Sequence, residues 1–388
     1  MRQENGPFDE DTMLRREFLC ALGGGCGLVI AGQRTAAAPS STDRANIPSP
    51  AWSRLSSLDR GFNIPGWIGV EDDRAPAPDV LKRLRDVGFS AVRLPVDPFD
   101  LVAPTGDRIV GQVVAAAHVL QQLGYSVTLD MHCGAEMLSL FDTEPALARI
   151  YVEHAWELLL EEAVSLPDAM TFFELLNEPP MVAADWHNFG AALATQVRRR
   201  SAHHTLLWGP ALYQAMWQLD DALPPEDPNI IIAVHYYEPM SFTHQGADWA
   251  GTSLGPLENV PFPGQAGDRA LTALKSQLQR DGNAEAIDLL ERDFQVPWTA
   301  ERMQQSFIEA SQWGSRHNRP IVLNEFGAYG SATEPDDRAG WIRAVREAAE
   351  GAGIAWTYWE LDGGFGFLQD RSDPGSFDPD LLSALLDR

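Results

Sequence analysis

Two glutamates end two of the most apolar segments of the chain, and acids in such places suggest catalysis. Glu178 ends the string Phe-Phe-Glu-Leu-Leu-Asn-Glu of residues 172–178, and Glu325 ends the string Ile-Val-Leu-Asn-Glu of residues 321–325. A strand buried on both faces is a nearly continuous apolar run, and an ionised carboxylate at its end costs free energy unless the site uses it. Two carboxylates that the fold brings together are the groups that hydrolyse glycosidic bonds.

The segments that would position these glutamates belong to an alternating pattern that begins at residue 61. The pattern predicts strands at residues 61–67, 91–96, 125–131, 170–177, 205–209, 230–237, 320–326 and 354–361. It predicts helices at residues 79–87, 112–123, 145–166, 185–202, 300–316, 336–350 and 379–386, and a weaker helix at 213–223. Such alternation is typical of parallel strands joined by crossover helices. Eight units predict a (β/α)8 (TIM) barrel that forms a single catalytic domain over residues 51–388.

In such a barrel, the side chains at the carboxyl ends of the strands face one active site. The residues at these ends are unusually polar: Arg93, His132, Asn177, Glu178, His235, Tyr237, Glu325 and Trp359. Arg93 is the only arginine among them, so we expect it to keep one carboxylate ionised. Asn177 is suited to a sugar hydroxyl, and Trp359 offers a flat apolar face for a sugar ring. Trp67 and Trp249 are further candidate sugar platforms.

Charge and histidine spacing argue against several other classes of function. The chain has 55 acidic and 29 basic residues, a net charge of −26, which disfavours nucleic acid and anionic membranes as partners. A neutral polysaccharide or oligosaccharide suits this charge best. The sequence has no His-x-His at the end of an early strand and no His-Glu-x-x-His, so we expect neither a metal nor a cofactor. We also expect a monomer.

The first 38 residues are predicted to be an export signal. An Arg-Arg pair at residues 15–16 precedes an apolar stretch of residues 20–32, and three alanines at 36–38 suit cleavage. The paired arginines resemble a twin-arginine signal, and a lipoprotein signal that uses Cys26 is the alternative. Residues 39–50 are rich in Pro and Ser and predict a linker. We therefore expect a periplasmic or extracellular protein with no membrane insertion after signal removal.

In their order along the chain, these motifs resemble glycoside hydrolase family 5, the cellulase family, over nearly the whole mature chain. The resemblance implies that Glu178, in Asn-Glu-Pro, is the acid/base and that Glu325, in Asn-Glu-Phe-Gly, is the nucleophile of a retaining mechanism. It further implies a sugar-stacking role for Trp359 and supporting roles for five residues: Arg93, His132, Asn177, His235 and Tyr237. Cys133 departs from the family, which often carries glycine or asparagine there.

The expected function is hydrolysis of the β-1,4-glucosidic bonds of a cellulose-like glucan by double displacement, as in an endoglucanase. Mannan, xylan and β-1,3-glucan remain alternative substrates, because loop residues decide between them. A catalytically silent barrel that only binds glycans is a hypothesis of another class. Loss of one glutamate would mark such a protein, and both glutamates are present in this chain.

Overall fold

Eight parallel strands close into a barrel in the computed structural model, which describes residues 49–69 and 74–387. Each strand pairs with the next along the chain, and the eighth pairs with the first. The strands are β1 Arg60–Asn63, β2 Ala91–Val96, β3 Ser126–Met131, β4 Thr171–Glu174, β5 Thr205–Trp208, β6 Ile230–Tyr236, β7 Ile321–Phe326 and β8 Ala355–Tyr358. All eight predicted strands are present, so the predicted (β/α)8 class is confirmed.

Helices cover the outside of the barrel and connect the strands. They are α1 Pro50–Leu55, α2 Pro78–Val87, α3 Pro98–Val102, α4 Gly106–Gln122, α5 Ala135–Thr143, α6 Pro145–Ala163, α7 Ala183–Arg200, α8 Met240–Thr243, α9 Arg269–Asp281, α10 Ala284–Asp293, α11 Ala300–His317, α12 Pro335–Gly351 and α13 Pro379–Leu386. The seven stronger helix predictions are confirmed, six of them with at least one shifted end and the last, at 379–386, with both ends as predicted. The weaker one, at 213–223, is instead the 3₁₀ helix Met216–Asp221. The short helices α1, α3, α5 and α8 were not predicted, because few turns show little periodicity.

The barrel interior has an apolar floor beneath a polar layer. The floor is a buried cluster of Ala51, Leu58, Ala91, Phe172, Leu207, Ile231, Ala233, Val322 and Ala355. Ala51 belongs to α1, so the first helix closes the amino-terminal end of the barrel. Side chains alternate along a strand, so the next inward position lies two residues further on. These positions are Arg93 after Ala91 and Glu174 after Phe172, and both side chains are buried.

The predicted signal of residues 1–38 and most of the predicted linker lie outside the described residues. Of the last two residues of that linker, Ser49 instead caps α1 and Pro50 begins it. The Ser49 hydroxyl accepts a hydrogen bond from the backbone of Ala51 at 3.2 Å, and proline is favoured in a first helical turn. Over residues 49–69 and 74–387, no helix is both long and apolar enough to cross a membrane.

Candidate active site

Arg93 lies at the centre of the polar layer and contacts three carboxylates. Its Nε and Nη2 donate to Glu174 at 2.7 and 3.0 Å, and its Nη1 donates to Glu325 Oε1 at 2.5 Å. Its Nη2 also lies 3.0 Å from Asp130 Oδ2. Burial alone would lower the pKa of Arg93. The three carboxylates raise it by more than burial lowers it, so the net pKa is well above its usual value. A buried cation with these partners is a rigid centre around which the site is built.

Sequence reasoning missed Asp130 and Glu174 as partners of this arginine. Glu174 is fully buried and also accepts a hydrogen bond from Asn324 Nδ2 at 2.7 Å. Burial raises the pKa of Glu174, but Arg93 lowers it more, so the net pKa lies below its usual value. One pattern could have revealed this residue: a charged side chain inside the string Phe-Phe-Glu-Leu-Leu requires a buried partner.

Glu325 faces the cavity because β7 contains a β-bulge. Val234 of β6 pairs with Leu323, whereas the next residue, His235, pairs with Glu325. Asn324 is therefore an extra residue that interrupts the alternation of inward and outward side chains. As a result, Asn324 and Glu325 both point into the barrel although they are neighbours in sequence.

Donors hold both oxygens of the Glu325 carboxylate. Oε1 accepts from Arg93, and Oε2 accepts from the Tyr237 hydroxyl at 3.1 Å. His235 Nδ1 lies 3.6 Å from Oε2, and Glu325 is 5% exposed. The carboxylate is thus fixed in one orientation and paired with a guanidinium, which is an arrangement suited to a nucleophile.

Glu178 lies across the cavity, just beyond the end of β4. Its backbone φ is +38°, in the left-handed region that side chains seldom adopt. Its carboxylate Oε1 lies 2.8 Å from His235 Nδ1, and its side chain is 25% exposed. Burial raises the pKa of Glu178 to about 7, against the opposing effects of His132 and Arg93. A carboxyl group with this pKa can hold a proton at rest and donate it.

The two glutamates share one cavity. A carboxylate oxygen of Glu178, one of Glu325 and a ring nitrogen of His235 all lie within 4.8 Å of one another. These atoms could also hold a cation. However, Glu325 Oε1 already accepts from the Arg93 guanidinium, so this carboxylate has a cationic partner without a metal. The expectation of a metal-free site stays a prediction.

The inward-facing residues of β6 and the loop after it continue the site. His235 is 2% exposed, and burial lowers its pKa to about 4, so its ring is neutral between the two glutamates at neutral pH. Tyr237 lies two residues further on and faces inward as well. Tyr236, between them, packs outward against Phe307 and Trp341.

His132, Asn177 and Trp359 line one side of the cavity. His132 Nδ1 lies 2.8 Å from Asp130 Oδ2, and its ring stacks on Trp359 at 5.6 Å between centroids. Burial lowers the pKa of His132, but Asp130 raises it more, to about 9, so the ring is cationic at neutral pH. Asn177 Oδ1 accepts from Arg93 at 2.7 Å. Trp359 is partly exposed, as a sugar platform must be.

The other two tryptophans predicted to stack on sugar, Trp249 and Trp67, lie in different environments. Trp249 is partly buried beside the site, where its ring contacts His244 at 5.8 Å and Phe365 at 6.3 Å, and both of these rings contact Tyr237. Trp67 is 8% exposed and packs in the hydrophobic core. The prediction for Trp67 is corrected, because a ring that stacks on a sugar needs an open face.

Comparisons with known proteins agree with this arrangement. The family profile described as cellulase (glycosyl hydrolase family 5) matches residues 55–364. Endoglucanase 3 of Fibrobacter succinogenes is 26% identical over 343 residues, which cover 81% of this chain and 51% of that protein. Cellodextrinase A of Ruminococcus flavefaciens is 25% identical over 223 residues, which cover 52% of this chain and 65% of that protein. The chain therefore spans only about half to two thirds of these relatives.

A solved structure shares the fold over nearly its full length. It is a hyperthermophilic endo-β-1,4-glucanase in complex with substrate, with a TM-score of 0.68 at 22% identity. The alignment covers 87% of this chain and 99% of that one. At this identity the likeness establishes the barrel and nothing finer. The family profile, however, spans most of the chain and includes both glutamates at the mouth of the barrel, so the chain belongs to the cellulase family, glycosyl hydrolase family 5.

Proposed function

We propose that this protein hydrolyses β-1,4-glucosidic bonds of a glucan with net retention of the anomeric configuration. The observation that carries the proposal is the approach of Glu178 and Glu325 oxygens to within 4.8 Å of each other. Carboxyl groups of retaining glycosidases lie about 5–5.5 Å apart, whereas an inverting pair lies about 6.5–9.5 Å apart to admit a water. An approach of single oxygens to within 4.8 Å is compatible with the shorter, retaining spacing, and it supports direct attack by one carboxylate.

In the first step, an oxygen of Glu325 attacks the anomeric carbon while Glu178 gives its proton to the leaving glycosidic oxygen. The carbon–oxygen bond to the leaving sugar breaks, and a glycosyl ester to Glu325 forms. In the second step, Glu178 is a carboxylate and removes a proton from water. The water oxygen attacks the anomeric carbon, the ester breaks, and both glutamates return to their first state.

The names of the relatives support a β-glucan substrate, since one is an endoglucanase and the other a cellodextrinase. The net charge of −26 supports a neutral polymer, because it would repel an acidic one. Mannan, xylan and β-1,3-glucan remain alternatives. Release of reducing ends from these four polysaccharides ranks them directly, and highest turnover on a polymer other than β-1,4-glucan would replace the proposed substrate.

The stereochemistry of the product tests the retaining route. We expect proton NMR to show the β-anomer at the new reducing end first, followed by the α-anomer as mutarotation proceeds. Two successive inversions at the anomeric carbon require this order. If the α-anomer appears first from a β-linked substrate, water attacks directly and Glu325 is not a nucleophile.

The raised pKa of Glu178 predicts an alkaline decline in activity. Six charged or titratable groups face it: Arg93, His132, Glu174, His235, Tyr237 and Glu325. As the pH rises through about 7, the carboxyl group loses the proton that the leaving oxygen needs, so kcat/KM should fall. Measurement of kcat/KM from mildly acidic to alkaline pH checks this, and a profile that stays flat well above neutrality would contradict the assignment.

A further inference from the structure

The loop after β5 adopts a conformation that buries one side chain in the catalytic layer. Leu212, Tyr213 and Gln214 have φ values of 53°, 63° and 50°, all in the left-handed region. Three successive residues in this region are costly, and such strain persists only where the surroundings enforce it. The turn places Gln214 inside the barrel with no exposed surface. Gly209 makes room for it, because a Cβ there would lie 2.4 Å from Gln214 Nε2.

Both ends of the Gln214 amide are used, and its backbone is used as well. Its Oε1 accepts a hydrogen bond from the backbone N–H of Glu178 at 2.7 Å, and its Nε2 donates to Glu174 Oε1 at 3.3 Å. Its backbone carbonyl accepts from the backbone N–H of His235 at 2.9 Å. A single residue thus joins the glutamate that donates the proton, the histidine beside that glutamate, and the carboxylate that pairs with Arg93.

One of these bonds stabilises the unfavourable backbone conformation of Glu178. Its φ of +38° is unfavourable for a side-chain-bearing residue, and the Gln214 oxygen bonds the N–H of that same residue. If the bond were lost, the backbone could relax and carry the carboxyl group away from His235. A displacement of about 1 Å in a reacting group can reduce the rate by about a hundredfold.

We propose that Gln214 is a positioning residue that fixes Glu178 for proton transfer to the leaving oxygen. The inference rests on the acid/base role proposed for Glu178. A positioning role can be distinguished from a general stabilising role, because a misplaced Glu178 impairs only those reactions that need its proton.

Two aryl glycosides of one β-linked disaccharide separate these roles, with cellobiosides as the first choice. The leaving group of a dinitrophenyl glycoside departs without protonation, whereas that of a phenyl glycoside is a much stronger base. We expect Gln214→Leu to lower kcat/KM for the phenyl glycoside by about ten- to a hundredfold and for the dinitrophenyl glycoside by less than about threefold. An equal loss on both substrates would overturn the proposal.

Two further variants sharpen the comparison. Gln245 is also fully buried, but its amide bonds only to the backbone of Phe242 and Val260. Gln245→Leu is therefore the matched control, and we expect it to lower stability without changing the ratio of the two kcat/KM values. Gln214→Asn keeps a neutral amide that can still accept from the Glu178 N–H, whereas a carboxylate at this position would face the buried Glu174, so the ratio of Gln214→Asn should shift less than that of Gln214→Leu. A shifted ratio in Gln245→Leu, or equal shifts in both Gln214 variants, would contradict the assignment.

If Gln214→Leu does not fold, Gln214→Met replaces it. Methionine has a volume similar to that of glutamine and a flexible side chain, and the same two kcat/KM values are measured for it. If the proposed glycosidase function itself is wrong, the wild-type protein will hydrolyse neither aryl glycoside. A wild type that hydrolyses both, with a constant ratio in every Gln214 variant, would leave the glycosidase intact and remove only the positioning role.

Discussion

Replacing Glu325 with alanine is expected to lower kcat by on the order of 10⁴-fold or more, because no other group in the site can form the glycosyl ester. The barrel should remain folded, since Arg93 keeps its contacts with Asp130 and Glu174. Polysaccharide turnover and the thermal unfolding midpoint together measure the two effects. Glu309→Ala is a suitable control, because Glu309 is an exposed residue of α11 outside the site.

Azide makes this prediction more specific. With the Glu325 side chain removed, the small anion can occupy its place and attack the anomeric carbon of an activated aryl β-glycoside. A single inversion then yields the α-glycosyl azide, because no enzyme-bound ester intervenes. If Glu325→Ala kept its wild-type kcat, Glu325 could not be the nucleophile.

Replacing Glu178 with alanine is expected to have the second largest effect. Turnover of polysaccharide should fall by about 10²- to 10⁴-fold, because the leaving oxygen then receives no proton. Formation of the glycosyl ester from a dinitrophenyl glycoside should change little, since that leaving group needs no acid. Hydrolysis of the ester should become slow, because no base activates the water, so we expect a burst of dinitrophenol in stopped-flow measurements.

Azide should also rescue Glu178→Ala, but with the opposite stereochemistry. Here the glycosyl ester to Glu325 still forms, and azide attacks it in place of water. Two inversions yield the β-glycosyl azide. The anomers from the two variants therefore identify which glutamate is the nucleophile, and identical anomers from both would show that the roles assigned to Glu178 and Glu325 are wrong.

The fold class and the meeting of two glutamates in one cavity could be predicted from the sequence, because the relevant patterns are local. Apolar runs of strand length, separated by segments of helical period, predicted all eight strands of the barrel. The ends of parallel strands meet at one edge, so Glu178 and Glu325 could be expected in one cavity. Arg93 was likewise expected to bind a carboxylate, and it contacts Glu325 at 2.5 Å.

The orientation and burial of the side chains in the site depend on contacts between segments that are distant in sequence. The bulge at Asn324 exists only in the pairing of β7 with β6, and no local pattern marks it. Burial decided that Trp67 is a core residue and that Glu174 and Asp130 share Arg93. The sequence by itself determined the eight strands, the longer helices that were predicted, and the two acids near the ends of β4 and β7. Only the tertiary structure decided which way each side chain points, because strand register and left-handed turns arise from packing across the barrel.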